Sequence, residues 1–211
     1  MIIAIDGPAA SGKSTVAKRV AAQLGVPFLD TGAMYRAVTL RAQAAGIDPA
    51  DGEACGALAE RLELRFDEAG RILIDGEPGE PHIRGARVER DVSAVSAHSR
   101  VRRAVVAIQR AIGRGQSIVA EGRDTTTVVF PDAEHKFFLV ASPDERGRRR
   151  AEQEGYPARA AQYALELARR DALDSSRADS PLREAPDAVR VDTDALTAEE
   201  VVERLLEQIQ R

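Results

Sequence analysis

The sequence predicts an α/β protein built on a parallel sheet, and three observations support that prediction. Short apolar runs rich in β-branched residues alternate along the chain with longer segments whose apolar residues recur at helical spacing. The first of these runs, residues 1–6, passes directly into a glycine-rich turn and then into a helix. A later run, residues 117–120, ends in the polar segment 121–124, as expected where the carboxyl ends of parallel strands gather ligand-binding groups.

The glycine-rich turn has the sequence of a phosphate-binding loop. It fits the pattern G-x-x-x-x-G-K-[S/T] at every fixed position, and the helix predicted after it closes at Gly25. Backbone N–H groups and the helix N-terminus would converge there on a polyphosphate, with Lys13 reaching the β- and γ-phosphates and the Ser14 hydroxyl binding Mg²⁺. The predicted phosphate-binding residues are Gly7, Pro8, Ala9, Ala10, Ser11, Gly12, Lys13, Ser14 and Thr15.

The rest of the chain continues the alternation of strand and helix patterns. The last helix is predicted to begin at a capping box formed by Thr197 and Glu200, and we interpret it as structural. The other predicted strands are 26–29, 117–120, 136–140 and 189–191, and the other predicted helices are about 31–45, 50–62, 93–113 and 143–177, the last broken at 155–157.

One segment departs from this pattern. Residues 62–66 and 72–74 are short alternating runs joined by a turn at 67–70, which predicts an antiparallel hairpin. We interpret residues 50–90, which contain the hairpin, as a small lobe inserted into the α/β domain.

Composition argues against several classes of function. A formal net charge of −4 is unlike that of a general nucleic-acid binder, and no apolar run approaches the length of a membrane helix. Cys55 is the single cysteine and the three histidines are scattered, so neither a disulfide nor a His/Cys metal site is expected. Because no signal-peptide pattern precedes the first strand, the cytoplasm is the expected location.

Arginine supplies most of the positive charge, an excess that we attribute mainly to genomic base composition, and it is the arginines on several elements after the phosphate loop that favour phosphoryl transfer. The chain has 27 Arg against 3 Lys, and no guanine-reading Asn-Lys-x-Asp or Thr-Lys-x-Asp motif accompanies the phosphate loop. Its 211 residues are few for a motor or transporter ATPase. Guanidinium groups grip phosphate through two bonds and stabilise the charge of a transferring phosphoryl group, so a small-molecule kinase is favoured.

Three further segments resemble the bacterial cytidylate kinases. Residues 28–36, Phe-Leu-Asp-Thr-Gly-Ala-Met-Tyr-Arg, resemble that family's Leu-Asp-[Ser/Thr]-Gly-Ala-[Met/Ile]-Tyr-Arg segment. Residues 121–124, Glu-Gly-Arg-Asp, together with 127–133 resemble its second signature, and 170–177 fit its Arg-Asp-x-x-Asp-x-x-Arg. With the phosphate loop, these segments follow the family's order over nearly the whole chain.

The resemblance implies a P-loop kinase architecture: a three-layer core with a parallel sheet, an inserted lobe that binds the nucleoside monophosphate and carries the hairpin, and a short helical lid. The implied enzyme uses ATP and Mg²⁺ to phosphorylate CMP and dCMP, binds neither nucleic acid nor membrane, and is expected to be a monomer. The implied core is 1–30, 93–142 and 178–211, the lobe about 31–92, and the lid about 143–177.

Roles of single residues also follow from the resemblance. The implied catalytic cations are Lys13, Arg36, Arg123 and Arg177, of which the three arginines would bind the CMP phosphate and the transferring group. The residues implied to bind CMP are Arg36, Arg123 and Arg177 at the phosphate, Ser93, Arg102 and Asp124 at the cytosine ring, Thr31 beside the base, and Arg170 and Asp174 near the sugar.

Two acidic side chains have a chemical argument of their own. Ionised Asp124 accepts hydrogen bonds only, so it can bind the exocyclic amine of cytosine and would repel the carbonyl of uracil. Glu121 ends an apolar strand, and we expect it to orient Mg²⁺ through water, although an ordinary strand-end acid would have the same position.

Several assignments stay open at the level of sequence. At least one arginine of the 146–150 cluster is implied to fold over ATP, with Arg149 as our candidate; Arg146, Arg148, Arg149 and Arg150 could equally form a solvated face paired with nearby glutamates. Ser93 could be merely the N-cap of the helix 93–113. Only the resemblance selects Arg102 over Arg100 and Arg103.

The chain also departs from the family at one position. The family usually has Gly-Thr shortly after the Arg-Asp pair, whereas Asp124 is followed here by Thr125-Thr126-Thr127. If the glycine serves a positive backbone angle, Thr126 would strain the loop.

The remaining alternatives for function are a related kinase acting on UMP or shikimate, and a nucleotide-binding regulatory module without turnover.

Overall fold

A computed structural model describes residues 1–67 and 69–210 of the chain. Glu68, in the predicted hairpin turn, and Arg211 lie outside the described residues. The chain divides into two compact units, one of residues 1–28 and 116–211 and the other of residues 29–115. The second unit therefore extends beyond residue 92, where the predicted lobe ends; the division into core, lobe and lid stays a prediction.

The elements alternate as the sequence predicts. In chain order they are β1 (Ile2–Asp6), α1 (Lys13–Leu24), β2 (Phe28–Asp30), α2 (Thr31–Ala44), α3 (Gly52–Ala59), β3 (Leu64–Phe66), β4 (Ile72–Ile74), β5 (Glu77–Pro78), α4 (Ala86–Ala97), α5 (Ser99–Gly113), β6 (Ile118–Gly122), β7 (His135–Val140), α6 (Pro143–Gln153), α7 (Ala160–Ser175), β8 (Val189–Asp192) and α8 (Ala198–Ile209). Short 3₁₀ turns at His82–Arg84 and Pro157–Arg159 and a π-helical turn at Thr125–Val129 complete the set.

The five-stranded sheet has the strand order β2-β6-β1-β7-β8. β1 pairs in parallel with β6 and β7, and β7 pairs in parallel with β8, which confirms the predicted α/β class. β1 is buried from Ile3 onward because helices cover both faces of such a sheet. The apolar core of the first unit (residues 1–28 and 116–211) consists of Ile3, Ile5, Val16, Ala17, Val20, Ala21, Val119, Phe137, Leu139, Val191, Val201, Val202 and Leu205.

The second unit contains the predicted hairpin. β3 and β4 pair antiparallel with Leu64 opposite Ile74 and Phe66 opposite Ile72. The short β5, which the sequence analysis did not predict, adds a third strand through the pairing of Leu73 with Pro78.

The prediction of one helix over 93–113 is wrong. α4 ends at Ala97 and α5 begins at Ser99, because His98 between them has an extended backbone with φ −72° and ψ 124°. The His98 ring nitrogen Nε2 lies 2.8 Å from the carbonyl oxygen of Pro49, a contact that holds the bend. Ser93 lies inside α4, whose N-cap is Gly85, so the alternative that Ser93 caps a long helix is also wrong.

The arginine-rich segment folds into α6 and α7, which pack closely against each other. Gly155 (φ 77°) and Pro157 separate them, as the sequence predicts. A Cβ atom on Gly147 would lie 2.5 Å from the carbonyl oxygen of Ala160 and 2.8 Å from Cβ of Ala164. The close approach of these helices therefore requires glycine at position 147.

Two smaller predictions are also answered. The capping box of α8 is present, since the Thr197 hydroxyl accepts from the N–H of Glu200 and the Glu200 carboxylate accepts from the N–H of Thr197. Within residues 1–67 and 69–210, no helix combines the length and apolar character needed to cross a membrane.

Candidate active site

The phosphate loop connects β1 to α1, as its sequence predicts. A Cβ atom on Gly7 would lie 2.2 Å from the carbonyl oxygen of Leu139, so only glycine fits there. Gly12 is the N-cap of α1 and has φ 89°, a left-handed angle that glycine adopts without strain. These two glycines let the backbone pass close to β7 and turn sharply into the helix, with the N–H groups of its first turn directed out of its N-terminus.

Lys13 is buried beside the loop. Its Nζ donates to the carbonyl oxygen of Pro8 at 3.1 Å and lies 3.9 Å from Glu121 Oε2. Burial, followed by the charge of Arg123, lowers the pKa of Lys13 to about 7, while Glu121 acts in the opposite direction. A phosphate group would favour the ammonium form, so the side chain suits the predicted role of binding an anion.

Ser14 and Glu121 meet at the end of the sheet that carries the loop. The Ser14 hydroxyl donates to Glu121 Oε1 at 2.7 Å. A hydroxyl and a carboxylate are hard oxygen ligands of the kind that Mg²⁺ prefers, so this pair fits the ion. Among the described residues no group of three or more His, Cys, Asp and Glu side chains could hold a metal alone. Such a site would therefore complete its shell with phosphate and water, as Mg²⁺ sites commonly do.

One buried carboxylate holds two of the predicted catalytic arginines. Arg123 Nε donates to Asp174 Oδ2 at 3.0 Å, and Arg177 donates to Asp174 Oδ1. Burial disfavours the charged form of Arg123, but the carboxylates of Asp174, Glu121 and Asp171 outweigh it and raise its pKa. The structure therefore brings Arg123, Asp174 and Arg177 together. The positive charge of Arg170, the first residue of the same motif, also lowers the pKa of Lys13.

A second carboxylate, which the sequence analysis did not single out, binds the loop itself. Asp171 Oδ1 accepts from the N–H of Ala9 at 3.1 Å, and Asp171 Oδ2 pairs with Arg146. Arg146 Nη1 also donates to the carbonyl oxygen of Ala9 at 3.2 Å. Asp171 stands within the Arg170–Arg177 motif, and that was the only signal in the sequence that could have pointed to it.

The arginines of the 146–150 cluster have different environments. Arg149 lies nearest the loop residue Gly12, where an added Cβ would be 3.7 Å from Nη1, and it donates to the carbonyl oxygen of Thr193 at 2.6 Å. Arg148 pairs with Glu145 and Glu152, Arg149 also pairs with Glu145, and Arg150 pairs with Glu154, as the surface interpretation predicts. Arg146 and Arg149 therefore stay candidates for a nucleotide contact.

The segment after β6 is fixed to the end of β1 by Asp6. Asp6 Oδ1 accepts from the N–H and the hydroxyl of Thr125 at 2.9 and 2.6 Å. Asp6 Oδ2 accepts from the N–H and the hydroxyl of Thr126 at 2.7 and 2.6 Å. In the described chain the non-glycine residues with left-handed φ are Ala10, Asp75 and Ser180, so the expectation of a strained Thr126 is wrong. Asp124, which precedes this pair, is buried.

The remaining predicted substrate residues lie in the second unit. Thr31 begins α2 behind the N-cap Asp30, whose carboxylate accepts from the N–H of Ala33 at 2.9 Å. Arg36 Nε donates to Glu89 Oε1 at 2.7 Å.

Of the three neighbouring arginines Arg100, Arg102 and Arg103 on α5, Arg102 is the buried one. Its Nη1 donates to the carbonyl oxygen of Ser96 at 3.1 Å, and its guanidinium carbon lies 5.0 Å from the ring centre of Tyr35, a distance at which a cation interacts with an aromatic face. Arg100 instead pairs with Glu53 and Glu60. Ser93 lies on the neighbouring helix α4, where its carbonyl oxygen accepts from the hydroxyl of Ser96 at 3.3 Å.

Known proteins resemble this chain in sequence over almost its whole length. A family model described as "Cytidylate kinase" matches residues 3–211 of the sequence. The chain belongs to the cytidylate kinase family. It is 50% identical to the cytidylate kinase of Geobacillus kaustophilus (strain HTA426), over 97% of this chain and 94% of that protein. It is 47% identical to the cytidylate kinase of Mycolicibacterium paratuberculosis (strain ATCC BAA-968 / K-10), over 100% of this chain and 96% of that protein.

Solved structures agree with the fold of this family. A shikimate kinase from Bacteroides thetaiotaomicron aligns over 100% of this chain and 99% of its own, with a TM-score of 0.51 and 14% sequence identity. At that level of identity the likeness shows the fold alone, and it is the P-loop kinase fold that the sequence predicts.

Proposed function

We propose that this chain transfers the γ-phosphoryl group of ATP to CMP or dCMP, which yields ADP and CDP or dCDP. The observation that carries the proposal is the concentration of phosphate-binding groups in the first unit: a phosphate loop with Lys13, and the pair Arg123 and Arg177 held by the buried Asp174. Membership of the cytidylate kinase family and the names of the curated relatives support the choice of nucleotide.

In this proposal the protein acts by positioning and by charge. The loop residues 7–15 hold the ATP phosphates. An oxygen of the CMP phosphate forms a bond to the γ-phosphorus while the bond to the ADP oxygen breaks, so the ADP leaves with the electron pair. The attacking atom is already a phosphate oxygen, and therefore no general base is required. Lys13, Arg36, Arg123 and Arg177 neutralise the charge that spreads over the transferring group.

The divalent ion and the lid complete the donor side. Ser14 and Glu121 would hold Mg²⁺, Glu121 through water, and the ion would supply positive charge against the donor phosphates. Arg149 is our candidate for the lid contact with ATP, since it lies near Gly12.

The acceptor side would select cytosine. Asp124 would accept from the exocyclic amine, Arg102 and Ser93 would complete the contacts to the ring, and Thr31 would lie beside it. Arg170 and Asp174 would lie near the sugar. Since uracil carries a carbonyl in place of the amine, two acceptors would face each other, and a buried unpaired acceptor costs enough to reject the wrong base.

The test is a comparison of phosphorylation rates for CMP, dCMP, UMP, AMP and shikimate with ADP release as the readout. We expect CMP and dCMP to be the preferred acceptors. The variant Asp124→Ala should narrow the ratio of kcat/KM for CMP and UMP, whereas Asp132→Ala, an exposed acid of the same segment, should not. A dominant activity on UMP or shikimate, or ATP binding with no phosphorylated product, would refute the proposal.

We also propose that the protein acts in pyrimidine nucleotide metabolism as a cytoplasmic monomer. A single buried thiol, Cys55, suits a reducing compartment, although it identifies none by itself. Light scattering after size exclusion tests the monomer directly, and a mass of twice 22.7 kDa would contradict it.

A further inference from the structure

The Asp6 carboxylate is fully buried and accepts four hydrogen bonds from two consecutive residues. The donors are the N–H and the hydroxyl of Thr125 and of Thr126, at 2.6–2.9 Å. Backbone N–H groups can only donate, and here each carboxylate oxygen accepts from one of them. A set of four short bonds in a buried place leaves the two threonines little freedom relative to Asp6.

Asp6 lies between two segments that the proposed function uses. It is the last residue of β1 and precedes Gly7, the first residue of the phosphate loop. On the neighbouring strand it stands opposite Gly122, and the threonines it binds follow Arg123 and Asp124 directly. One side chain thus fixes the start of the donor loop to the segment that carries two acceptor-binding residues.

The ionised form of Asp6 depends on the residues of this segment. The pKa of Asp6 is raised above its ordinary value. Burial is the main cause and the negative charge of Asp124 adds to it, whereas the hydrogen bonds from Thr125 and Thr126 act in the opposite direction. A buried carboxylate is costly unless its hydrogen bonds are complete, so any shift of residues 123–126 away from β1 would be opposed.

We propose that Asp6 is a positioning residue for the acceptor nucleotide: through Thr125 and Thr126 it fixes the backbone that carries Arg123 and Asp124, and so contributes to the preference for cytosine. The inference rests on the proposed function. Asp6 touches neither nucleotide in this scheme, and the hydroxyl of Thr126 adds a bond that a glycine at this position cannot make.

The experiment compares the loss of one hydroxyl bond with the loss of one carboxylate oxygen. Thr126→Val keeps the shape and the N–H but loses the hydroxyl, whereas Thr126→Ser keeps the hydroxyl. Asp6→Asn keeps the shape but replaces one acceptor oxygen by a donor NH₂, which leaves one backbone N–H facing another donor. The matched control is Thr39→Val, because Thr39 is also buried and its hydroxyl donates to the carbonyl oxygen of Tyr35 at 2.8 Å within α2.

The readouts are the melting temperature, the dissociation constant of ATP, and kcat and KM for CMP and UMP. We expect Thr126→Val to lower kcat/KM for CMP about fivefold, the effect of one lost hydrogen bond, and to narrow the CMP-to-UMP ratio. Asp6→Asn should lower kcat/KM for CMP about 10- to 100-fold, and Thr126→Ser should retain most of the wild-type kcat/KM. ATP binding should change by less than about twofold in Thr126→Val, and Thr39→Val should alter the melting temperature alone.

A double variant shows whether Asp6 acts through Thr126. If it does, Thr126→Val should reduce kcat/KM less in the Asp6→Asn background than in the wild type, since the set of bonds that the Thr126 hydroxyl joins is already weakened. Equal losses of melting temperature in Thr126→Val and Thr39→Val, with unchanged CMP kinetics in both, would overturn the inference and leave Asp6 a structural residue. A wild-type protein inactive on CMP would refute the proposed function itself; an active wild type with unaffected variants would refute the inference alone.

Discussion

The Ser14 hydroxyl donates a hydrogen bond to Glu121 Oε1 at 2.7 Å, which joins the first turn of α1 to β6. The two residues are 107 positions apart in the chain, and the parallel pairing of β1 with β6 brings them to the same edge of the sheet. Two side chains that carry oxygen atoms, both predicted to hold Mg²⁺, are thus in contact next to the phosphate loop.

Glu121→Gln should raise the Mg²⁺ concentration that gives half-maximal activity by about tenfold, because an amide lacks the charge that favours a divalent cation. Initial rates across a Mg²⁺ titration at fixed ATP measure this. Glu134→Gln is the control, since Glu134 binds the N–H of Ile2 at the opposite end of β1. Equal responses of the two variants would contradict a metal role for Glu121.

Lys13→Ala should lower kcat about 10³-fold and leave the dissociation constant of CMP within about threefold of its wild-type value. The reason is that Lys13 would bind the donor phosphates and the transferring group and not the acceptor base. Steady-state kinetics and calorimetric titration with CMP provide the two quantities. Lys18→Ala, on the exposed face of the same helix, should retain the wild-type kcat; a similar loss in both variants would contradict the assignment.

Asp174→Asn should reduce kcat/KM for CMP about 100-fold. Arg123 and Arg177 would each lose a charged partner, and the NH₂ group introduced beside them would be a donor facing a donor. Asp187→Asn, which disrupts the exposed pair with Lys136, serves as the control. If the two variants had equal kcat/KM, Asp174 would not position the arginines.

Stability should depend on Glu145 in the acid range. Hydrogen bonds from Arg148 and Arg149 hold the pKa of Glu145 below its ordinary value. The stability it contributes is therefore present above its unfolded pKa of about 4.5 and lost as the pH falls through the lower folded pKa. Melting temperatures of the wild type and Glu145→Gln from pH 7 to pH 3 should converge at the acid end; a constant difference down to pH 3 would contradict this account.

Leu205→Ala should lower the free energy of unfolding by about 2–5 kcal/mol, because Leu205 is fully buried in the core between α1 and α8. Leu173→Ala, at an exposed position of α7, should change it by less than about 0.5 kcal/mol. Urea denaturation monitored by circular dichroism measures both. Comparable losses would mean that α8 does not supply this core.

The sequence predicted well those features that local patterns determine. The phosphate loop, the hairpin and the capping box of α8 depend on residues close together in the chain, and each is present. The bend at His98 was missed because apolar residues keep their helical spacing on both sides of it, at Val92 and Val95 and again at Val101 and Val105. The contact that holds the bend comes from Pro49, which no local pattern reveals.

The site shows the same division. Lys13, Ser14 and Arg123 were selected as candidates from their motifs, but the residues that they contact come from distant parts of the chain. Asp6 meets its threonines across about 120 residues, and Asp171 meets Ala9 across 162. Neither contact has a sequence pattern of its own, because both depend on how the strands and helices pack.

The absence of a side chain at Gly147 has a mechanical consequence. With backbone seated against backbone at Ala160, α6 and α7 have no compressible layer of side chains at this point that could absorb a relative displacement. If a bound nucleotide pulls Arg149 on α6 towards its phosphates, α7 should move together with α6. Arg170 and Asp174 on α7 would then be displaced as well. Binding of the donor would then shift the residues that are predicted to lie near the sugar through the rigidity of this contact alone.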